Sequence, residues 1–296
     1  MENLRGIFLM VAAMLGFAIE DAFIKLAAAD LPTGQILLMI GLIGGAAFTA
    51  MGQLQGQSVW SRDIFAGPVL LRHLGETFGT LGFITALALT PLTNATAIFQ
   101  ATPLAVTFGA AVFLGDHVGW RRWSAIAVGF AGMLIIIRPG MAGFDMNSLW
   151  SLLAVAGLSL RDVATRRVPK GISTVQLAAW AFGCLVLLGA AMLVVSGNAH
   201  RPDSGQILLV VLAAFFGVFA YWAITAAMRL GEVSVITPFR YSRLVFALII
   251  GALVFGERPD GWMLLGATLI IGSGLYTFAR ERHRRRHALS MGQTLR

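Results

Sequence analysis

Charge is scarce in this 296-residue chain. Only 12% of its residues are Asp, Glu, Lys or Arg, against about 25% in soluble domains. A soluble fold with half the usual charge could not cover its own surface, and 57% of the residues here are hydrophobic. The composition predicts an integral membrane protein. Cysteine is nearly absent: Cys184 stands alone, which excludes an internal disulfide and a cysteine-cluster metal site. The chain contains no His-Glu-x-x-His, Gly-x-Ser-x-Gly or Walker A pattern. The motifs of a membrane zinc protease, a nucleophile elbow and an ATP-driven machine are therefore missing, and neither a metal nor a cofactor is expected. The formal charge of +8 would suit nucleic acid, but much of it lies in the tail RERHRRRHALSMGQTLR (280–296). A membrane explains that tail better, and no nucleic-acid partner is expected.

The first 29 residues imitate a signal peptide, with Arg5, an apolar run and then three alanines. Glu20, Asp21 and Lys25 interrupt that run, and the segment has a counterpart later in the chain, so it reads as a span. Apolar stretches of about 20 residues fall near 4–27, 34–52, 65–89, 92–114, 120–138, 148–167, 173–195, 205–229, 233–255 and 261–280. These predict ten transmembrane helices. If the basic C-terminus is cytoplasmic, so is the N-terminus. The inner ends then carry Arg5, Arg62, Arg121, Arg122, Arg166, Arg167, Lys170, Arg229 and the arginines from Arg280 onward. The outer loops carry only Lys25, Arg138, Arg201 and Arg258. The asymmetry survives removal of the tail and follows the positive-inside rule.

A shift of 141 positions aligns the chain with itself. GFAIEDAFIK (16–25) falls on GLSLRDVATR (157–166), matching Gly16 with Gly157 and Asp21 with Asp162. Thr33 and Gln35 fall on Thr174 and Gln176, and FLGDH (113–117) on VFGER (254–258). One added residue then matches Trp120 with Trp262 and Gly132 with Gly274. Each unit holds five spans, an odd number, so the two halves insert with opposite topology. The expected organisation is an all-α integral membrane protein of two inverted five-helix repeats, 1–140 and 141–280, followed by a basic cytoplasmic tail, 281–296.

The stretch ALALTPLTNATAIFQATPLAVTFGAAVFLGDHVGWRRWSAIAVGFAGMLIIIRPG (86–140) resembles the repeat of EamA-type transporters in the drug/metabolite transporter superfamily. So does PFRYSRLVFALIIGALVFGERPDGWMLLGATLIIGSGLYTFARER (238–282). The shared features are a helix ending in Gly-Glu or Gly-Asp, a polar turn and a Gly-rich closing helix. The resemblance implies export, or in some members import, of small metabolites, amino acids among them. It also implies a proline deep in the fourth helix, which Pro103 matches. The second half departs, with Leu244 at that position and Pro238 six residues earlier.

A charge near a helix centre costs about 2.5–3.5 kcal/mol on insertion scales, so each such residue calls for a cavity or a partner. Arg72 and Glu76 are four apart on one helical face, as an intrahelical pair or as a gate. Asp21 and Asp162 occupy equivalent places. Either packing polarity, with Lys25 or Arg166 one turn away, or a gating or proton-carrying role would explain them. Glu20 has Arg161 as its equivalent, an asymmetry that favours a functional role. Arg240 and Arg243 lie near mid-depth, three apart, and cannot satisfy each other. They need Glu20, Asp21 or Glu76, or an anionic ligand, whose carboxylate suits the guanidinium fork. Tyr241 and Gln100 are the nearest polar groups by repeat position, and Pro238 is expected to loosen the helix there.

These readings converge on a secondary transporter in a bacterial-type inner membrane, surrounded by lipid, with both termini cytoplasmic. It would move a small metabolite by alternating access. The leading expectation is amino-acid export, with Arg243, Arg240, Tyr241, Gln100 and Glu20 at the substrate. Asp21, Asp162, Arg72 and Glu76 would gate or couple, with protons as the candidate coupling ion. Uptake of a vitamin or nucleoside-like compound is the alternative. An intramembrane enzyme is disfavoured for want of a catalytic motif.

Overall fold

The computed structural model describes residues 2–115, 119–141, 144–169, 171–230 and 233–293. Every regular element among them is helical. In chain order these are α1 (Glu2–Ala27), α2 (Thr33–Leu54), α3 (Gly67–Leu89), α4 (Leu92–Phe99), α5 (Thr102–Phe113), α6 (Trp120–Ile137), α7 (Ser148–Thr165), α8 (Thr174–Ser196), α9 (Ser204–Leu230), α10 (Val233–Ile236), α11 (Ser242–Phe255) and α12 (Gly261–Gln293). Short 3-10 turns occupy Arg62–Phe65 and Thr237–Tyr241.

Two rods are broken at equivalent depth. α4 ends and α5 begins around Gln100 and Ala101, with Pro103 in the first turn of α5. Proline has no N–H to continue the helical ladder, and the Thr102 hydroxyl bonds back to the Phe99 carbonyl at 2.6 Å. In the second half the 3-10 turn carries Pro238 and α11 starts at Ser242, whose hydroxyl bonds the Phe239 carbonyl at 2.7 Å. Loosened backbone inside a bundle is tolerated where it lines a polar interior.

The molecule is apolar outside and charged inside. Phe8, Phe78, Leu187, Val194, Phe215 and Leu253 are exposed, while Asp21, Arg72, His73, Gln100 and Arg243 are buried. That inversion of the soluble pattern is what a hydrocarbon solvent demands. Among the described residues, eight segments are long and apolar enough to cross a membrane: 4–27, 33–54, 92–113, 120–137, 174–196, 204–228, 237–255 and 261–280. The ten expected spans include these eight. The other two are α3 and α7, which carry Arg72, His73, Glu76, Arg161 and Asp162. Their charges lower the hydropathy of both helices, and the two pack along each other.

Packing follows the repeat. α1 lies along α9 and α7 along α3; α2 pairs with its equivalent α8, and α6 with α12. Each of these contacts maps onto itself or onto another when the halves are exchanged. Glycine permits the closest crossings: a Cβ on Gly157 would lie 2.4 Å from the backbone nitrogen of Gly79. No side chain fits there, so the α3 and α7 backbones touch.

Candidate functional site

Arg243 opens α11 just beyond the 3-10 turn, which points it at α1. Its Nε donates to Asp21 Oδ2 at 3.0 Å, and Nη2 donates to Oδ1 and Oδ2 at 2.7 and 2.8 Å. Only 8% of Arg243 and 1% of Asp21 is exposed, so the pair is occluded. The rings of Phe17, Phe83 and Phe99 stand at 5.0, 5.1 and 5.0 Å from the guanidinium carbon. A planar cation fits between a carboxylate fork and ring faces, where cation–π attraction is strongest once water is excluded. α1, α3, α4 and α11 thus bring one cation, one anion and three aromatic rings together from both halves.

A second charged group forms on α3 and α7. Glu76 pairs with Arg72 at 3.5 Å and with Arg161 at 3.1 Å, and Arg161 continues to Asp162 at 2.8 Å. Arg72 also reaches the Leu177 carbonyl at 3.5 Å. The intrahelical Arg72–Glu76 pair is therefore one link of a longer chain that crosses between the halves.

Arg240 and Arg243 part company. Arg243 binds Asp21 on α1, whereas Arg240 makes no such pair among the described residues and feels the charges of Asp162, Arg161 and Arg243. Gln100 joins this turn by donating to the Arg240 carbonyl at 3.3 Å. Tyr241 turns away: it is buried against Gly274 of α12, and its hydroxyl has no hydrogen-bond partner among the described residues. Glu20 neighbours Asp21 in sequence but faces α2, α8 and α9, where Ile40, Gly44, Phe182, Ala214, Gly217 and Val218 surround it.

Other contacts could not be anticipated from spacing. Lys25 donates to the carbonyls of Leu87 and Thr90 at 3.1 and 2.6 Å, closing the C-terminal end of α3 instead of pairing with Asp21. Glu257 accepts from the backbone N–H groups of Leu92 and Thr93 at 2.6 and 2.9 Å. It caps α4, a helix of the other half, and gives the Gly-Glu ending a structural use. The three phenylalanines around Arg243 carry no signal in a chain so rich in apolar residues. Among the described residues no group of His, Cys, Asp and Glu is placed to hold a metal ion.

A multi-helix bundle with a lipid-suited exterior, matched halves and an occluded ion pair between α1 and a broken rod is the architecture of a multi-pass membrane transporter. The model of the EamA-like transporter family matches residues 4–138 and again 146–279, so the chain belongs to that family. It is similar to a riboflavin transporter of Rhizobium johnstonii, 27% identical over 73% of this chain and 72% of that one. An S-adenosylmethionine uptake transporter of Rickettsia conorii is 26% identical over 72% of each chain. A pseudopaline exporter of Pseudomonas aeruginosa is 24% identical over 90% of this chain and 93% of that one.

Proposed function

We propose that this protein is a secondary transporter that moves a small organic solute across a bacterial inner membrane by alternating access, with the Arg243–Asp21 pair at its substrate site. The observation that carries the reading is the occluded bidentate pair between α1 and α11. Its fork-shaped donor geometry suits exchange of one carboxylate, that of Asp21, for another on the substrate. Gln100 and Arg240 flank the same turn. Tyr241 and Glu20 point elsewhere and belong to its surroundings. The Glu76–Arg161–Asp162 chain, with Arg72, acts as a gate between the halves.

The remaining architecture is proposed on the same footing. Residues 1–140 and 141–280 form inverted repeats of five spans each, a reading supported by the exchange symmetry of the helix contacts. Both termini, including the basic tail 281–296, face the cytoplasm. Protons are the coupling ion.

Export of an amino acid is the first substrate reading, because a carboxylate is what Arg243 is shaped to hold. Uptake of a vitamin or nucleoside-like compound is the second. It is supported by the rings of Phe17, Phe83 and Phe99, which could stack on a planar solute, and by relatives named for riboflavin and S-adenosylmethionine. Counterflow in proteoliposomes with labelled amino acids, riboflavin, S-adenosylmethionine and a cationic drug tests both. Saturable exchange of a carboxylate or planar compound is expected. Movement of none above protein-free vesicles, or cleavage of peptide or ATP by the purified protein, would contradict the transporter reading.

A further inference from the structure

The two halves correspond in contact register at their crossings. At the α3–α7 crossing a Cβ on Gly157 would meet the backbone of Gly79 and the carbonyl of Gly75. At the α1–α9 crossing a Cβ on the equivalent Gly16 would meet Ala220 and the carbonyl of Phe216. These partners are also 141 positions apart, so the crossings share one register. The same offset carries Arg161 onto Glu20, Glu76 onto Gly217, and Arg72 and His73 onto Ala213 and Ala214.

One crossing is therefore filled with paired charge and the other is emptied of it. Where Arg161 meets Glu76 at 3.1 Å, Glu20 meets a glycine: a Cβ on Gly217 would lie 2.4 Å from Glu20 Oε1. Beside the carboxyl group a void of about 10 Å³ remains, lined by apolar residues of α2, α8 and α9. That is room for about one water-sized particle. No hydrogen bond or ion pair reaches Glu20 among the described residues. The charges that act on it are Asp21, next to it on α1, and Arg243 on α11.

We propose that Glu20 is the proton-carrying residue of the transport cycle, a proposal that rests on the transporter reading above. A carboxyl group among apolar walls with no cationic partner is held most cheaply with its proton on. When substrate engages Arg243, Asp21 loses its counter-cation and stands beside Glu20 as a second carboxylate. A proton from water, bound to one Glu20 carboxyl oxygen, removes that repulsion. While Asp21 keeps Arg243, only the apolar walls hold the proton, and it exchanges with water as pH rises. No other bond forms or breaks.

The proton can be read without any substrate. Infrared difference spectroscopy of the purified full chain across a pH titration reports the carbonyl stretch of a protonated carboxyl group. The wild type should show such a band, lost at high pH. Glu20→Gln should lack it, while Asp162→Asn should keep it. A folded Glu20→Gln with the wild-type band, or a wild type with no band at any pH, would overturn the proposal. If Glu20→Gln does not fold, Gly217→Ala tests the same void. It should move the midpoint of the wild-type band, and an unmoved midpoint would also overturn it. Failure here leaves substrate counterflow untouched. A titrating Glu20 in a protein that moves no compound of the panel would remove the transporter reading alone.

Discussion

Arg243 is held by two kinds of force that respond differently to mutation. The carboxylate of Asp21 neutralises it, and Phe17, Phe83 and Phe99 take the place of its water. Removing the guanidinium leaves Asp21 buried and unpaired, which costs about 3–5 kcal/mol when a buried pair is broken. Arg243→Ala should therefore unfold several degrees below wild type in detergent. Adding Asp21→Asn should restore much of the loss, since a neutral amide tolerates burial better. A double variant no more stable than Arg243→Ala would show that the pair is not the stabilising unit. At this scale the sequence is partly legible. Two arginines in an apolar run announce a polar interior, but Asp21 lies 222 positions away. Spacing along one helix cannot choose between it, Glu20 and Glu76. Nor can it show that Arg243, and not Arg240, closes on Asp21, because both side chains are long enough to reach it.

Helix ends and crossings are the next scale up. Glu257 satisfies two N–H groups at the start of α4 from across the molecule. Glu257→Ala leaves both without a partner, and the expected loss is about 1–2 kcal/mol, read as a lower thermal midpoint. Glu257→Gln should lose less. An unchanged midpoint for the alanine variant would mean that water caps α4 equally well. At the end of α6, Arg138 adopts a left-handed conformation with φ of 54° and pairs with Asp260, which also caps α12 by accepting from the Met263 N–H at 2.8 Å. The Arg138 hydrogen bond holds the Asp260 carboxyl below the usual carboxylate range, with help from the Met263 N–H. A depressed folded value means that the contribution is present above the unfolded value of about 3.9 and is lost as pH falls through the folded value. Because Asp260 is half exposed, the effect is small. Asp260→Asn should flatten the acid end of the stability profile. A profile identical to wild type below about pH 4 would contradict this. The α3–α7 crossing is stricter: Gly157→Val forces two backbones apart and should abolish folded yield, whereas Gly183→Val, where a Cβ meets nothing within 4 Å, should not. The existence and order of the helices are legible from hydropathy. The breaks at Gln100 and Thr237 are flagged only by nearby prolines, and the caps that cross between halves leave no local trace.

For the whole molecule, the repeat is the most legible feature, because a 141-residue register survives in GFAIEDAFIK and GLSLRDVATR and reappears as matched helix crossings. The register also shows where the halves differ, at Glu20 against Arg161, Gly217 against Glu76 and Thr102 against Arg243; what it cannot reveal is which of these side chains meet. The proposed orientation rests on Lys and Arg placement. In a Cys184→Ala background, a cysteine at Ser204 should react with an impermeant reagent from outside and one at Ser290 should not. Outside labelling of position 290 would invert the topology. The central claim is that Arg243 meets the substrate, and the direct measurement is counterflow by folded Arg243 variants in proteoliposomes with whichever compound the wild type exchanges. A charge-assisted bidentate contact contributes about 1.5–3 kcal/mol, so Arg243→Ala/Asp21→Asn should bind roughly 10- to 150-fold more weakly. Arg243→Lys, which keeps the charge but loses the fork, should fall between the two. Wild-type exchange by the folded double variant would show that Arg243 only holds the bundle together.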